Sequence, residues 1–252
     1  MIYSKKLSQF KNLIHGFTTK KEGDFRKLEI TQRQTIVRLC VNSADLVIAE
    51  QIHEGKIAVV GEKDKRKTIK KVDGLVTQEK GIVLGIRTAD CLPILFYEPE
   101  QEIIGAIHAG WKGSFKKISG EVIEKIKSLG GKSAKIIVAI GPHIKSCCYD
   151  ITKKRADKFQ EKFTHEVVIK RNHKLFLDLT KVNFSQLLEN SIREENIDFL
   201  PFCTHCNSDL FFSFRKNKKN YGEMLCFISM TTGNRTVLKS SKRTVLKKNN
   251  EN

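Results

Sequence analysis

Three apolar, β-favouring segments follow one another in the middle of the chain, and they constrain the fold more than any other feature. The segments are residues 81–88 (GIVLGIRT), 92–97 (LPILFY) and 102–108 (EIIGAIH). The dipeptide Glu98-Pro99 predicts a turn between the last two segments. Because all three are short and rich in Val, Ile, Leu and Phe, we expect three successive strands.

Helical and extended patterns alternate on both sides of these strands. Apolar residues from Ile118 to Leu129 follow the 3.6-residue spacing of a helix, which Gly130-Gly131 is expected to end. Further helices are predicted around residues 31–40, 156–163 and 182–192, and further strands at 14–18, 45–52, 56–60, 135–140, 174–179, 211–214 and 225–229. This mixture predicts an α+β fold in a single domain, residues 1–232.

The charge of the chain is strongly positive but does not identify a partner. The formal net charge is +18, from 46 Lys and Arg against 28 Asp and Glu. Such a surplus attracts anions. The basic residues are spread along the chain and no nucleic-acid-binding motif occurs, so we expect no specific nucleic-acid partner. RTVLK occurs at 235–239 and again at 243–247, which predicts a basic, frayed tail over residues 233–252.

The cysteine content favours a reducing compartment. There are seven cysteines, an odd number, and their spacing is not that of a small disulfide scaffold. The N-terminus lacks a signal-peptide pattern, and no apolar run approaches the ~18 residues of a membrane span. We therefore expect a cytoplasmic protein with reduced thiols and no membrane contact. Cys203 and Cys206 form a CxxC, but without a second CxxC the pattern alone does not favour a metal site, and Cys147-Cys148 reads as a pair of packed thiols.

Three side chains at the ends of predicted strands are candidate metal ligands. They are His53, Cys91 and His108. Imidazole nitrogen and thiolate sulfur are ligands that zinc prefers, and three of them leave a fourth position open, as catalytic zinc requires. Their spacing matches no local zinc motif, so packing of Cys91 in the core and ordinary hydrogen-bonded histidines remain the alternative interpretation.

Several charged residues near these positions could act on a substrate. Arg87 could stabilise a Cys91 thiolate, and Asp90 could orient a histidine or pair with Arg87. Lys112, at the start of the helix after His108, could help to bind phosphate. Arg215 could bind phosphate or lie on the surface.

A set of motifs in this order resembles the YfiH family, also called the laccase-like polyphenol oxidase family. The motifs are HGFTTK (15–20), QIH (51–53), DGLVT (73–77), RTADCLPILFY (87–97), IGAIHAGWKG (104–113), IGPHIKSCCYD (140–150) and FFSFR (211–215). The resemblance covers residues 10–230. It implies mixed β-sheets packed between helices, a fold similar to that of the cytotoxic necrotising factor toxins, which are cysteine hydrolases.

The resemblance also implies chemistry. It maps zinc ligands onto His53, Cys91 and His108, and it implies phosphorolysis of adenosine, inosine, guanosine and methylthioadenosine together with deamination of adenosine. The expected partners are therefore purine nucleosides and phosphate, bound by a monomer or homodimer. Where this family usually has Arg, the chain has Lys20, which grips phosphate as a point charge and not bidentately. The basic groups Lys20, Lys112 and Arg215 would suit phosphate binding.

Two other activities compete with phosphorolysis. A cysteine hydrolase, such as one that edits peptidoglycan precursors, would use Cys91 as nucleophile and His108 as base without an essential metal. Copper-dependent phenol oxidation is disfavoured, because the chain has seven histidines and no HxH pair. The expected cofactor is therefore zinc and not copper.

Overall fold

The computed structural model describes residues 1–26, 29, 45–163 and 166–231. The predicted helix at 31–40 and the predicted basic tail at 233–252 lie outside the described residues. In the described part, no helix is both long enough and apolar enough to cross a membrane.

Fourteen strands form three sheets in the described part of the chain. In spatial order, the five-stranded sheet contains β1 (Leu13–Phe17), β14 (Met224–Met230), β6 (Val83–Thr88), β2 (Leu46–Ala49) and β4 (Thr68–Ile69). The six-stranded sheet contains β13 (Ile197–Phe199), β9 (Ile137–Ile140), β7 (Leu92–Glu98), β8 (Ile103–Ala109), β5 (Gly74–Thr77) and β3 (Ile57–Val59). The small sheet contains β10 (Asp150–Ile151), β12 (Lys174–Leu177) and β11 (Val168–Arg171).

Side chains of the six-stranded sheet alternate between two cores, as the two-residue period of a strand requires. On β7, Ile94 and Phe96 face the core shared with the helices, whereas Leu95 and Tyr97 face the core shared with the five-stranded sheet. Every residue of β7 and β8 is buried. The two large sheets therefore stack face to face, and helices cover the other face of the six-stranded sheet.

Five α-helices lie in the described part of the chain. They are α1 (Trp111–Phe115), α2 (Ile118–Ser128), α3 (Lys153–Lys162), α4 (Leu179–Glu189) and α5 (Phe214–Asn217). The predicted helix at 118–129 is α2, which packs on β8 through a buried face that includes Val122, Ile123 and Ile126. The α+β prediction is confirmed.

Strand pairing brings distant parts of the sequence together at one end of the strands of the six-stranded sheet. β7 and β8 are antiparallel, with Leu92 opposite Ala109 and Pro93 opposite His108. The start of β7 and the end of β8 therefore lie side by side. β9 is antiparallel to β7, and β13 is parallel to β9. The C-terminal ends of β9 and β13 therefore lie on the same side as the start of β7.

Two local predictions differ from the structure. The sequence predicts a strand at residues 211–214, but they form a loop and the start of α5, with Phe211 fully buried in the loop. The dipeptide Asp73-Gly74 is a turn signal and by itself predicts only a turn, but Gly74 begins β5, which pairs with β8 in the interior of the sheet. A buried loop phenylalanine and a glycine inside a strand both contradict local propensity, because tertiary packing decides these positions.

A buried amide connects α1, α2 and α4. Asn183 of α4 donates to the Ser114 hydroxyl and to the Leu179 carbonyl, and it accepts from the Ser119 hydroxyl. Asn183, Ser114 and Ser119 are all fully buried. Asn183 therefore fixes the short helix that follows directly after β8.

We expect Asn183→Ala to lower the free energy of unfolding by about 2 kcal/mol, because it leaves two buried hydroxyls without their partner. Urea denaturation followed by circular dichroism measures the change. Leu188→Ala on the same helix is the control, since Leu188 is 40% exposed and the loss there should be much smaller. Equal losses in the two variants would contradict a connecting role for Asn183.

Candidate metal centre

Three predicted ligands converge in the structure. The ligand atoms of His53, Cys91 and His108 all lie within 4.8 Å of one another. The Cys91 sulfur is 4.0 Å from Nε2 of His53, and the two imidazole rings meet edge to face with centroids 4.6 Å apart. His108 is buried, Cys91 is half-buried and His53 is exposed. The group therefore opens to solvent on the His53 side.

Different elements supply the three side chains. Cys91 directly precedes β7 and His108 lies near the end of β8, so strand pairing alone places them together. His53 lies in the loop after β2, where both Gln51 (φ 68°) and His53 (φ 61°) have left-handed backbone conformations. Non-glycine residues adopt this conformation at a cost of about 1–3 kcal/mol, which the surrounding contacts must offset.

The Asp73 carboxylate supplies those contacts. One oxygen accepts the backbone N–H of His53 at 2.7 Å, and the other accepts those of Glu54 and Gly55 at 2.6 and 2.9 Å. The first oxygen also lies 3.4 Å from Nδ1 of His108. Burial raises the pKa of Asp73, but these donors outweigh burial and hold the pKa at about 2. Asp73 therefore stays charged at neutral pH and fixes both histidines.

Cys91 and His108 stabilise each other's charged forms. Burial raises the pKa of Cys91, yet the neighbouring His108 and His53 lower it below its ordinary value. Burial lowers the pKa of His108, yet Cys91 and Asp73 raise it above its ordinary value. Cys91 is therefore stabilised as a thiolate, the form that binds metals and acts as a nucleophile.

Gly110 leaves room beside the three side chains. A β-carbon at this position would lie 3.0 Å from the Cys91 sulfur, 3.2 Å from Cδ2 of His53 and 3.6 Å from Cε1 of His108. The space that a side chain would fill is therefore bordered by all three candidate ligands. A donor set of two imidazoles and one thiolate around such a space fits a zinc ion.

Asp90, next to Cys91, joins the group to a distant loop. Its carboxylate accepts from the Thr204 hydroxyl at 2.6 Å, the Ser213 hydroxyl at 3.1 Å and the Arg215 backbone N–H at 2.6 Å. Its φ of 87° lies in the region that favours glycine. Asp90 does not pair with Arg87, whose guanidinium lies 3.2 Å from Glu223. Asp90 therefore positions Cys91 through the backbone.

The predicted phosphate-binding residues have other partners in this conformation. Arg215 forms an ion pair with Asp150 and lies over the Tyr149 ring. Lys112 lies over Trp111 with its ammonium nitrogen 5.9 Å from the ring centroid. Lys20 donates to the Ser208 carbonyl at 2.5 Å. These contacts direct the three side chains to groups other than His53, Cys91 and His108, so a bound anion would have to redirect them.

Tyr149 and Arg155 were not singled out from the sequence. Burial and the nearby Cys91 thiolate raise the pKa of Tyr149 to about 12, although Arg155 and Arg215 act in the opposite direction. The Arg155 guanidinium lies 4.1 Å from the centre of the Trp111 ring. Trp111 and Arg155 line a cavity of about 220 Å³. Tyr149 therefore interacts both with Cys91 and with Arg155, one of the residues that line this cavity.

Comparison with known proteins supports the resemblance seen in the motifs. The family model described as multi-copper polyphenol oxidoreductase laccase matches residues 11–231. The chain is 29% identical to purine nucleoside phosphorylase YlmD of Bacillus subtilis, over 87% of this chain and 89% of the relative. It is 30% identical to adenosine deaminase RL5 from an unknown prokaryotic organism, over 79% of this chain and 81% of the relative.

Solved structures share the fold. The crystal structure of Bacillus licheniformis hypothetical protein YfiH matches with a TM-score of 0.80 and 29% identity, over 87% of this chain and 93% of the other. YlmD from Geobacillus stearothermophilus matches with a TM-score of 0.80 and 27% identity, over 90% and 94% of the two chains. The chain therefore belongs to the YfiH family of laccase-like polyphenol oxidoreductases.

Proposed function

We propose that this chain is a cytoplasmic, zinc-dependent purine nucleoside phosphorylase that also deaminates adenosine. The convergence of His53, Cys91 and His108 within 4.8 Å carries the proposal. Relatives named purine nucleoside phosphorylase and adenosine deaminase support the reaction class. Adenosine, inosine, guanosine and methylthioadenosine are the proposed nucleosides.

The three side chains would hold the ion, and Asp73 would hold two of them. Nδ1 of His108 lies 3.4 Å from Asp73, so Nε2 would be the nitrogen that binds the ion. A carboxylate behind a histidine ligand fixes the ring and increases its basicity. When bound, zinc would supply a Lewis acid beside the reacting end of the substrate.

Phosphorolysis requires an anion site and a base site close together. A phosphate oxygen forms a bond to the anomeric carbon while the carbon–nitrogen bond breaks, and the purine leaves with the electron pair and takes up a proton. Lys20, Lys112 and Arg215 are the proposed phosphate-binding residues. Asp90 would hold the segment around Cys91 through its hydrogen bonds to Thr204 and Ser213, and the Arg87 backbone would hold the His53 loop through the Gln51 side chain. The cavity beside Trp111 and Arg155 offers an aromatic face for the purine.

A cysteine hydrolase is the second candidate, and one observation favours it. Asp73 faces His108, and His108 lies against Cys91, which is the order of orienting group, base and nucleophile in a catalytic triad. His53 distinguishes the two proposals, because a triad does not need a second imidazole 4.0 Å from the sulfur.

We expect the purified protein to bind one zinc ion at this centre and to release adenine or hypoxanthine from nucleosides only when phosphate is present. His53→Ala and Cys91→Ser should each lose that ion and lower purine release by at least about 100-fold. Elemental analysis and chromatography of the released base measure the two effects. His173→Ala is the control for the first variant, because His173 is exposed on the turn between β11 and β12.

Three outcomes would contradict the proposal. Copper in place of zinc would overturn the metal assignment. Phosphate-independent purine release would overturn the reaction class. Full activity of metal-free protein, with Cys91 open to alkylation and essential, would replace the proposal by the cysteine hydrolase.

The space at Gly110 gives a test that leaves every ligand in place. Gly110→Ala puts a methyl group 3.0 Å from the Cys91 sulfur, so we expect zinc affinity to fall by about tenfold or more. The backbone at Gly110 (φ −68°, ψ 170°) accepts alanine without strain, so the fold should be retained. Competition with a chromogenic chelator measures the affinity.

Gly113→Ala is the matched control in the same segment. The nearest atoms to its β-carbon would be the His108 carbonyl oxygen at 3.5 Å and Ile118 at 3.6 Å, which are ordinary van der Waals contacts. Gly113 lies inside α1, where alanine is favoured by about 1 kcal/mol. Equal zinc affinity in the two variants would show that the ion does not occupy the space beside Gly110.

A further inference from the structure

A second group of metal-binding side chains lies outside the candidate centre. We define the four-thiol cluster as Cys147, Cys148, Cys203 and Cys206. Its four sulfur atoms all lie within 4.8 Å of one another. The Cys206 sulfur is 3.6 Å from that of Cys147 and 3.3 Å from that of Cys148. All four are free thiols.

We propose that the four-thiol cluster binds one zinc ion as a closed structural site. Four protein ligands complete the tetrahedral coordination of zinc, so this site would have no open position for a substrate. Each thiol loses its proton to solvent as its sulfur binds the ion. The inference does not depend on the proposed enzymatic function, because it involves neither His53, Cys91 nor His108.

The sulfur separations fit this ion. Zinc–sulfur bonds of about 2.3 Å in a tetrahedron place the sulfur atoms about 3.8 Å apart. The separations at Cys206, 3.3 and 3.6 Å, are within a few tenths of an ångström of that value. A disulfide would require about 2.05 Å and could join only two of the four sulfurs. The arrangement therefore suits a single ion shared by all four.

The strands of the six-stranded sheet hold the two halves of the cluster together. Cys147 and Cys148 follow β9, and Cys203 and Cys206 follow β13. These strands are parallel neighbours, and the pairing continues beyond them through a bridge between His143 and Cys203. The Thr204 N–H donates to the His143 carbonyl at 3.0 Å. The ligands are therefore brought together by backbone pairing, before any ion binds.

Backbone groups also prepare Cys203 as a ligand. The Lys145 N–H donates to its sulfur at 3.5 Å, and the Cys206 N–H donates to the same sulfur. Asn207 donates to the Cys203 carbonyl through its backbone and its side chain, at 3.0 and 2.9 Å, which closes the turn between the two cysteines. N–H donors directed at a thiolate favour its charged form.

Positively charged side chains nearby would offset the negative charge of the occupied site. Four thiolates and one zinc ion carry a net charge of −2. The Arg171 guanidinium donates to the Cys147 carbonyl at 2.8 Å, and Lys145 lies two residues before Cys147. Cys147 and Cys206 are exposed, which gives an ion a path into the site.

The proposed ion would also stabilise the surroundings of Cys91. The loop that carries Cys203 and Cys206 contains Thr204, which donates to Asp90 at 2.6 Å. Asp90 precedes Cys91 in a left-handed conformation that needs external support. The Ile144 N–H, in the loop after β9, donates to the Asp90 carbonyl. An ion that joins the loops after β9 and β13 would therefore restrict two hydrogen-bond donors of Asp90, Ile144 and Thr204.

Metal counting in single-cysteine variants tests the proposal. We expect Cys206→Ser to bind one zinc ion fewer per chain than the wild-type protein. Cys91→Ser should retain one ion, and the double variant should retain none. Because Cys206 is exposed, its substitution should leave the fold intact. Cys226→Ser is the control, since Cys226 is buried in β14 beside the Thr88 hydroxyl, and its zinc content should equal that of the wild type.

Cobalt substitution gives a second measurement that does not require a variant to fold. Cobalt bound by four thiolates absorbs intensely through sulfur-to-metal charge transfer, and we expect this band in Cys91→Ser and in the wild type. The proposal is overturned if reduced wild-type protein gives no such band, if Cys206→Ser binds as much zinc as the wild type, or if the protein purified without oxidant contains a disulfide within the cluster.

Discussion

The buried Asp73 carboxylate organises the candidate centre more than any ligand does. Removing a carboxylate from water costs several kcal/mol unless its oxygens find donors. Here three successive backbone N–H groups, from His53 to Gly55, and the His108 ring surround it. The Asp73 carboxylate therefore fixes the loop that carries His53 and also the ring of His108. One carboxylate therefore contacts both histidines, and its hydrogen bond to the His53 N–H supports the left-handed backbone there.

Strand directions explain why both sulfur-containing clusters lie on one side of the molecule. β7 begins where β8, β9 and β13 end. Cys91 precedes β7, His108 lies near the end of β8, and the four-thiol cluster follows β9 and β13. Side chains at strand ends are held by a rigid sheet, yet their loops stay free to vary in sequence. Asp90 links the two clusters through its hydrogen bonds to the loop after β13.

Local sequence patterns predicted the strands around the centre because β7 and β8 are apolar along their whole length. His53, Cys91 and His108 could be found from their chemical type, their place at strand ends and the surrounding motifs. The role of Asp73 could not be predicted, because Asp-Gly is a turn signal and nothing nearby in the sequence shows that β5 enters the interior. The four-thiol cluster could not be predicted, because its halves meet only through the parallel pairing of β9 with β13. Parallel pairing between distant segments leaves no local pattern.

β14 is the last described strand in the sequence, yet it lies between β1 and β6 in the five-stranded sheet. Every one of its residues is buried. A nascent chain that ends before β14 already contains all the candidate ligands. In that chain the facing edges of β1 and β6 are still unpaired, because β14 has not yet been inserted between them. The sheet closes only when residues 224–230 have emerged from the ribosome. A protein truncated just before these residues would therefore contain every ligand of both clusters and still be prone to aggregation and degradation.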